Sequence, residues 1–106
     1  MARALINVPK IARRGELVEI RVLINHIMES GQRHDSMGAI IPRDIIHSFV
    51  CTYNDEEILR ADFFPAISAN PYLAFSTVAR DSGSIVFTWT DDRGVLQIER
   101  TTITVL

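Results

Sequence analysis

The segment Ile85-Val86-Phe87-Thr88-Trp89-Thr90 alternates large apolar side chains with smaller ones. Ile85, Phe87 and Trp89 have the same parity, so they fall on one face of an extended chain. This pattern predicts a half-buried β-strand whose inner face contributes two aromatic rings to a core. Similar short apolar runs recur along the 106 residues and are separated by Gly, Pro, Asn and Asp.

The alternation predicts seven strands bounded by turn-forming residues. They are expected at residues 3–8, 16–24, 46–53, 56–62, 73–80, 84–90 and 95–106, with a long polar connection over 25–45. The four prolines all lie between strands, where they interrupt no ladder. Strand length and spacing predict an all-β fold, an immunoglobulin-like antiparallel β-sandwich of about seven strands. The length predicts a single domain over residues 1–106.

Two turns and one irregularity are expected within this pattern. Asn54-Asp55 predicts a tight hairpin turn, since both residues tolerate the left-handed backbone. Gly94 closes the hairpin after Trp89 and can take positive φ. Leu96 and Ile98 have the opposite parity to Ile103 and Val105, which predicts a bulge in the last strand.

Some strands are apolar on both faces. Leu17 and Leu23 lie opposite the row formed by Val18, Ile20, Val22 and Ile24. A small sandwich has only one core, so the second apolar face requires loops or another chain to cover it. This is the first indication of an interaction module.

Charge and length exclude several partner classes. Eleven basic residues stand against thirteen acidic ones, giving a net charge of −2. Phosphate binding needs a basic stripe, so nucleic acid is not an expected partner. The apolar runs are too short to span a membrane. Arg13-Arg14 is followed by charged residues rather than an apolar stretch, so we expect no export signal of the chain's own.

The residue pattern offers no catalytic constellation, and we expect a protein that is not an enzyme. Adjacent Glu56-Glu57 point to opposite faces of a strand and cannot form an acid–base pair, while Asp91-Asp92 is explained as turn chemistry. Ser30, His34 and Asp35 include the residue types of a hydrolytic triad, without a nucleophile elbow.

The single cysteine, Cys51, shares a face with Phe49 and Tyr53. If that face is the core, the thiol is a buried and unreactive hydrophobe. We therefore predict that Cys51 carries no chemistry.

Two surface hypotheses remain open. His26, Met28 and His34 have side chains that suit copper, so a periplasmic copper-binding β-sandwich is the alternative function. Solvated loop residues are the simpler explanation of those three, and no cofactor or metal is expected. Phe63, Phe64 and Ile67 either close one end of the core or anchor a partner.

The sequence as a whole resembles the SoxZ family, the small subunit of the SoxYZ sulfur carrier of thiosulfate oxidation. The resemblance covers essentially the whole chain. It rests on segments 25–31, 41–47, 51–54, 60–62, 69–75 and 88–92, together with Arg33 and Asp35. Asp55 stands where the family pattern leads us to expect glycine, which affects only a hairpin tip.

The resemblance implies a non-catalytic subunit that forms a heterodimer with SoxY. It implies that SoxY carries sulfur on the cysteine of a C-terminal Gly-Gly-Cys-Gly-Gly arm, a segment not expected in this chain. It also implies transient contact with other Sox enzymes through the complex. The family is periplasmic, so co-export with a signal-bearing SoxY is expected. Independently of the resemblance, the doubly apolar strands and the cluster of Phe63, Phe64 and Ile67 lead us to expect self-association, as a homodimer, when SoxY is absent. Arg33, in the long connection, is expected to attract the anionic sulfur conjugate.

Overall fold

A computed structural model describes residues 3–106, and within that range the chain forms eight strands. They are β1 (Arg3–Asn7), β2 (Ile11–Ala12), β3 (Leu17–Asn25), β4 (Ile46–Tyr53), β5 (Glu56–Asp62), β6 (Tyr72–Val78), β7 (Gly83–Asp91) and β8 (Leu96–Val105). The seven strands predicted from alternation correspond to all of these except β2. Most predicted boundaries differ by one or two residues, as is usual for element ends.

The strands form two sheets packed as a β-sandwich. One sheet has the order β1-β3-β6 and the other has the order β2-β8-β7-β4-β5. The Val18-Ile20-Val22-Ile24 row of β3 is buried, and the core also contains Phe49, Phe87 and Trp89. The predicted all-β, immunoglobulin-like class is therefore confirmed, and so is the inward direction of Trp89, which is 2% exposed.

Two details of the prediction are wrong. The short strand β2 was not expected, and it runs parallel to β8 in an otherwise antiparallel sandwich. The last strand has no bulge against β7, because the register is continuous from Gly83↔Ile103 to Thr90↔Leu96. Leu96 and Ile98 instead point away from the core and are exposed.

The predicted turn residues adopt the expected backbone. Asn54 and Asp55 have φ of 49° and 67°, and both positive values are required by a two-residue hairpin whose twist matches its strands. Gly94 has φ of 78°. These positions show that local turn chemistry sets the β4–β5 and β7–β8 connections.

The long connection between β3 and β4 is folded rather than irregular. Glu29 pairs with Asp44 and His34 pairs with Ile40 in isolated antiparallel bridges. The connection thus doubles back on itself and returns to the end of the sandwich where it began. In the part of the chain that the structure describes, no helix is long and apolar enough to cross a membrane.

Candidate functional site

The end of the sandwich beneath this folded connection contains a cavity of about 350 Å³. The C-terminal end of β3, the connection and the β7–β8 turn meet there. The lining residues are Asn25, His26, Ile27, Asp44, Asp91, Arg93 and Val95. Three of them are ionisable groups whose potential ligand atoms lie within 4.8 Å of one another: His26, Asp44 and Asp91.

His26 is fixed by bonds to a distant loop. Its backbone N–H donates to Asn70 Oδ1 at 3.0 Å, and Asn70 N–H donates to the His26 carbonyl at 2.9 Å. The ring Nδ1 accepts the Met28 backbone N–H at 3.0 Å. Because Nδ1 supplies its lone pair, the neutral ring carries its hydrogen on Nε2. That nitrogen lies 3.7 Å from Asp44 Oδ1.

Asp44 is largely buried, with 14% of its side chain exposed. Oδ2 pairs with Arg93 Nη2 at 3.2 Å, whereas Oδ1 has no hydrogen-bond partner among the described residues. Asp91 Oδ1 accepts the backbone N–H groups of Arg93 and Val95, both at 2.9 Å. Asp91 therefore shapes the turn that presents Arg93 to Asp44.

The donor set of this cluster does not favour a metal ion. A ligating imidazole needs a free lone pair, and the lone pair of His26 is used by Met28 N–H. One of the two carboxylates is already balanced by Arg93. The arrangement is better described as a polar cluster that fixes the connection to the β7–β8 turn.

The copper hypothesis does not fit the positions of its three residues. Met28 is buried, and its sulfur accepts the Ile46 backbone N–H at 3.2 Å. His34 is exposed within the folded connection and does not join the His26 cluster. The thioether is thus used inside the fold, and the three side chains do not form one site.

A second ionic contact ties the same elements together. Arg43 donates from Nε and Nη2 to the two oxygens of Asp92, at 2.7 Å each. Asp92 Oδ2 also accepts the Ile45 N–H at 3.2 Å. The pKa of Asp92 lies below its usual value, mainly because Arg43 donates hydrogen bonds to its carboxylate. Sequence reasoning explained Asp92 as turn chemistry and missed this link.

Arg33 is largely exposed, but its charge is balanced within the connection. Its guanidinium donates to both oxygens of Glu29, and this raises the pKa of Arg33 and lowers that of Glu29. Glu29 is itself buried. An anion would therefore have to compete with Glu29, and the expected role of Arg33 stays a prediction.

The apolar cluster after β5 divides between two roles. Phe63 is 7% exposed and belongs to the core, whereas Phe64 is 66% exposed and Ile67 is 39% exposed. Only Phe64 and Ile67 are therefore available to a partner. Phe64 borders an open cleft of about 440 Å³ whose rim includes the Arg43–Asp92 pair.

Cys51 lies at the centre of the sandwich and is fully buried. Desolvation raises the pKa of its thiol from 9.0 to about 12. A thiolate is the reactive form of cysteine, so this side chain is unreactive at neutral pH, as expected from its neighbours in the sequence.

Four of the six segments that resemble the SoxZ family converge on this end of the sandwich. Residues 25–31, 41–47, 69–75 and 88–92 are joined by the His26–Asn70, Glu29–Asp44 and Arg43–Asp92 contacts. Over residues 6–102 the sequence matches the family described as "Sulphur oxidation protein SoxZ". The chain belongs to the SoxZ family. It is accordingly a subunit of the Sox sulfur-oxidation system. No match was found among the curated proteins.

Solved structures extend the comparison to the fold. SoxY, the sulfur carrier protein from Chlorobium limicola f thiosulfatophilum, is 13% identical with a TM-score of 0.70, and the match covers 97% of this chain and 78% of SoxY. A superoxide reductase (neelaredoxin) from Ignicoccus hospitalis is 15% identical with a TM-score of 0.69, and the match covers 97% and 80% of the two chains. A putative superoxide reductase from Thermotoga maritima is 16% identical with a TM-score of 0.66, covering 97% and 85%. At these identities the likeness concerns the fold alone.

Proposed function

We propose that this SoxZ-family chain is the non-catalytic partner of a SoxY-type sulfur carrier and contains no sulfur-carrying group of its own. The observation that carries the proposal is the family match over residues 6–102, combined with the burial of the single cysteine. A carrier thiol must be exposed and mobile enough to reach several enzymes. Cys51 is neither, because it lies in mid-strand with no exposed surface.

The exposed apolar surface around Phe64 is the proposed contact with SoxY. Phe64 borders a cleft whose other lining residues include charged and polar groups, and the Ile67 N–H donates to the Phe64 carbonyl at 3.0 Å. Exposed aromatic side chains beside a polar rim are typical anchors of protein interfaces. The periplasmic location, the co-export with SoxY and the transient contact with other Sox enzymes belong to the same proposal.

Binding to SoxY tests this assignment directly. We expect a stable complex by calorimetry, and we expect Phe64→Glu to weaken it at least tenfold, which is about 1.4 kcal/mol. Because Phe64 is exposed, the variant should fold like the native chain. Met37→Glu is the matched control, since Met37 is 90% exposed and lies away from the cleft residues. No complex with SoxY would reject the partner role, and equal affinities of both variants would reject the Phe64 surface.

Cys51→Ser separates a structural thiol from a carrier. The hydroxyl replaces sulfur in an apolar site, so we expect a stability loss of about 1–3 kcal/mol in urea unfolding. Cys51→Ala is the control, because it removes the sulfur without burying a hydroxyl. In the native chain a thiol reagent should react only after unfolding.

In the complex with SoxY, both Cys51 variants should support thiosulfate-dependent turnover at the native level. Mass spectrometry after reaction with thiosulfate should show no sulfur adduct on this chain. An adduct on Cys51, or lost turnover in a variant that still binds SoxY, would place the chemistry in this subunit.

A further inference from the structure

Strand β6 is an edge strand without the usual protection against pairing. It lies at the end of the β1-β3-β6 sheet, and no described strand pairs with its second side. Its sequence, Tyr72-Leu-Ala-Phe-Ser-Thr-Val78, contains no charge, proline or bulge against β3. Exposed edges of this kind are templates for another strand, and natural proteins normally block them.

The other long edges carry such blocks. The edge strand β5 has Glu56, Glu57, Arg60 and Asp62 in seven residues, and its register with β4 is interrupted. The part of β8 that β2 leaves uncovered contains Glu99 and Arg100. β1, the opposite edge of the same sheet, is five residues long and includes the charged Arg3. Among the edge strands of at least five residues that the structure describes, only β6 carries no charge, which makes it the edge suited to association.

The backbone of β6 presents its free groups regularly. At one end the Pro71 carbonyl accepts Ile24 N–H at 3.1 Å, and at the other Ala79 N–H donates to the Glu16 carbonyl at 2.8 Å. Pro71 and Ala79 are both odd-numbered, and the register with β3 shows no shift between them. Hydrogen-bonded pairs alternate along an antiparallel ladder, so the odd-numbered residues of β6 form the backbone hydrogen bonds to β3. The N–H and C=O groups of the even residues therefore point to the open edge: Tyr72, Ala74, Ser76 and Val78.

We propose that β6 pairs antiparallel with β6 of a second copy of this chain, with the two-fold axis at Phe75. Tyr72 then lies opposite Val78 of the second copy, and Ala74 lies opposite Ser76. Every open backbone group from Tyr72 to Val78 gains a partner in this register. The contact is isologous and closed, which is the commonest form of a dimer interface.

The side chains support the same register. On the outer face of the sheet, Leu5, Leu23 and Tyr72 form one row across β1, β3 and β6, and Leu17 and Val78 form another. Pairing Tyr72 with Val78 joins these rows into one apolar ridge across both copies. Leu5, Leu17, Tyr72 and Val78 are all exposed in the single chain, so the ridge brings exposed apolar groups together.

Charges are also compatible with the two-fold arrangement. Arg21 is in register with Ala74, and Glu19 is in register with Ser76. In the dimer, the row from Arg21 passes over the small residues Ala74 and Ser76 and ends at Glu19 of the second copy. Opposite charges thus share each row, and like charges do not meet at the axis.

The expected dimer is weak, because a single strand edge buries less than about 1,200 Å². Sedimentation equilibrium at chain concentrations from about 10 to about 500 µM covers the dissociation constants expected for such a contact. We expect the 12.0 kDa chain to approach twice its mass at the upper end. A native chain that stays monomeric throughout overturns the proposal.

Two variants locate the interface. Ala74→Lys with Ser76→Lys places lysines opposite one another across the axis, and we expect dimerisation to weaken at least a hundredfold. Thr102→Lys with Thr104→Lys is the control, because it adds the same charge on exposed positions of β8. Ala74→Pro removes one open-edge N–H without removing a bond to β3, so it should also yield a folded monomer.

A dimer that survives both β6 variants, or that the β8 control disrupts equally, contradicts the proposed interface. Binding to SoxY is measured separately on the same variants. SoxY binding tests the proposed function, whereas self-association tests the β6 interface. Either hypothesis can therefore be rejected without rejecting the other.

Discussion

Replacing Trp89 with alanine is expected to lower the free energy of unfolding by about 3–5 kcal/mol. Trp89 is 2% exposed, and its ring centroid lies 5.2 Å from that of Phe49 and 6.2 Å from that of Phe87. The variant loses the transfer free energy of the indole and leaves a cavity between two rings that the surrounding strands hold apart. Small domains have total stabilities of about 5–15 kcal/mol, so this loss is a large share.

Urea unfolding followed by far-UV circular dichroism measures this effect, since the variant lacks the only tryptophan. Leu96→Ala is the control, because Leu96 lies on the neighbouring strand but on the exposed outer face. Its effect is expected within about 0.5 kcal/mol. Similar losses in the two variants would show that the register of β7 and β8 has been assigned to the wrong faces.

Replacing Tyr53 with phenylalanine is expected to cost about 2–4 kcal/mol through hydrogen bonds alone. The Tyr53 hydroxyl accepts the backbone N–H groups of Arg80 and Asp81, both at 3.2 Å, and donates to the Asp81 carbonyl. This one hydroxyl bonds three backbone groups in the turn between β6 and β7. Without it, the Arg80 and Asp81 N–H groups and the Asp81 carbonyl lose the partner that the buried Tyr53 ring holds in place.

Tyr72→Phe is the matched control for this prediction, because it makes the same chemical change at the other of the two tyrosines. Tyr72 is exposed, and its hydroxyl forms no hydrogen bond with the described residues. The control should therefore change stability by less than about 0.5 kcal/mol. Hydrogen exchange of the Arg80 and Asp81 amides should accelerate only in Tyr53→Phe. Equal stabilities of the two variants would mean that the hydroxyl has no role in the turn.

The sequence by itself determined the strands in which large apolar side chains recur at every second residue. Alternation around Trp89 and Ile20 placed β7 and β3 and their inner faces, because parity is a local property of an extended chain. Turn chemistry placed Asn54 and Gly94. Alternation also identified Cys51 as an unreactive thiol, since its neighbours two residues away, Phe49 and Tyr53, are large and aromatic.

Only the tertiary structure decided β2 and the faces of β8. A strand of two residues is too short to show an alternation of apolar and polar side chains, so Ile11–Ala12 could not be predicted from its local sequence. Where both rows of a strand contain apolar residues, as in β8, parity states which residues share a face but not which face is inward. In β8 the inward row contains Gln97, Glu99 and Thr101, which lie half-buried beside the core, while apolar Leu96 and Ile98 point outward.

The polar cluster was beyond local sequence reasoning for the same reason. His26 meets Asn70 across 44 residues, and Arg43 meets Asp92 across 49. Each of these side chains resembles an ordinary loop residue when its neighbours in sequence are considered. Their association depends on how the two sheets bring the loops to one end of the sandwich. Alternation determined which residues could be buried, and sheet packing decided which polar groups met.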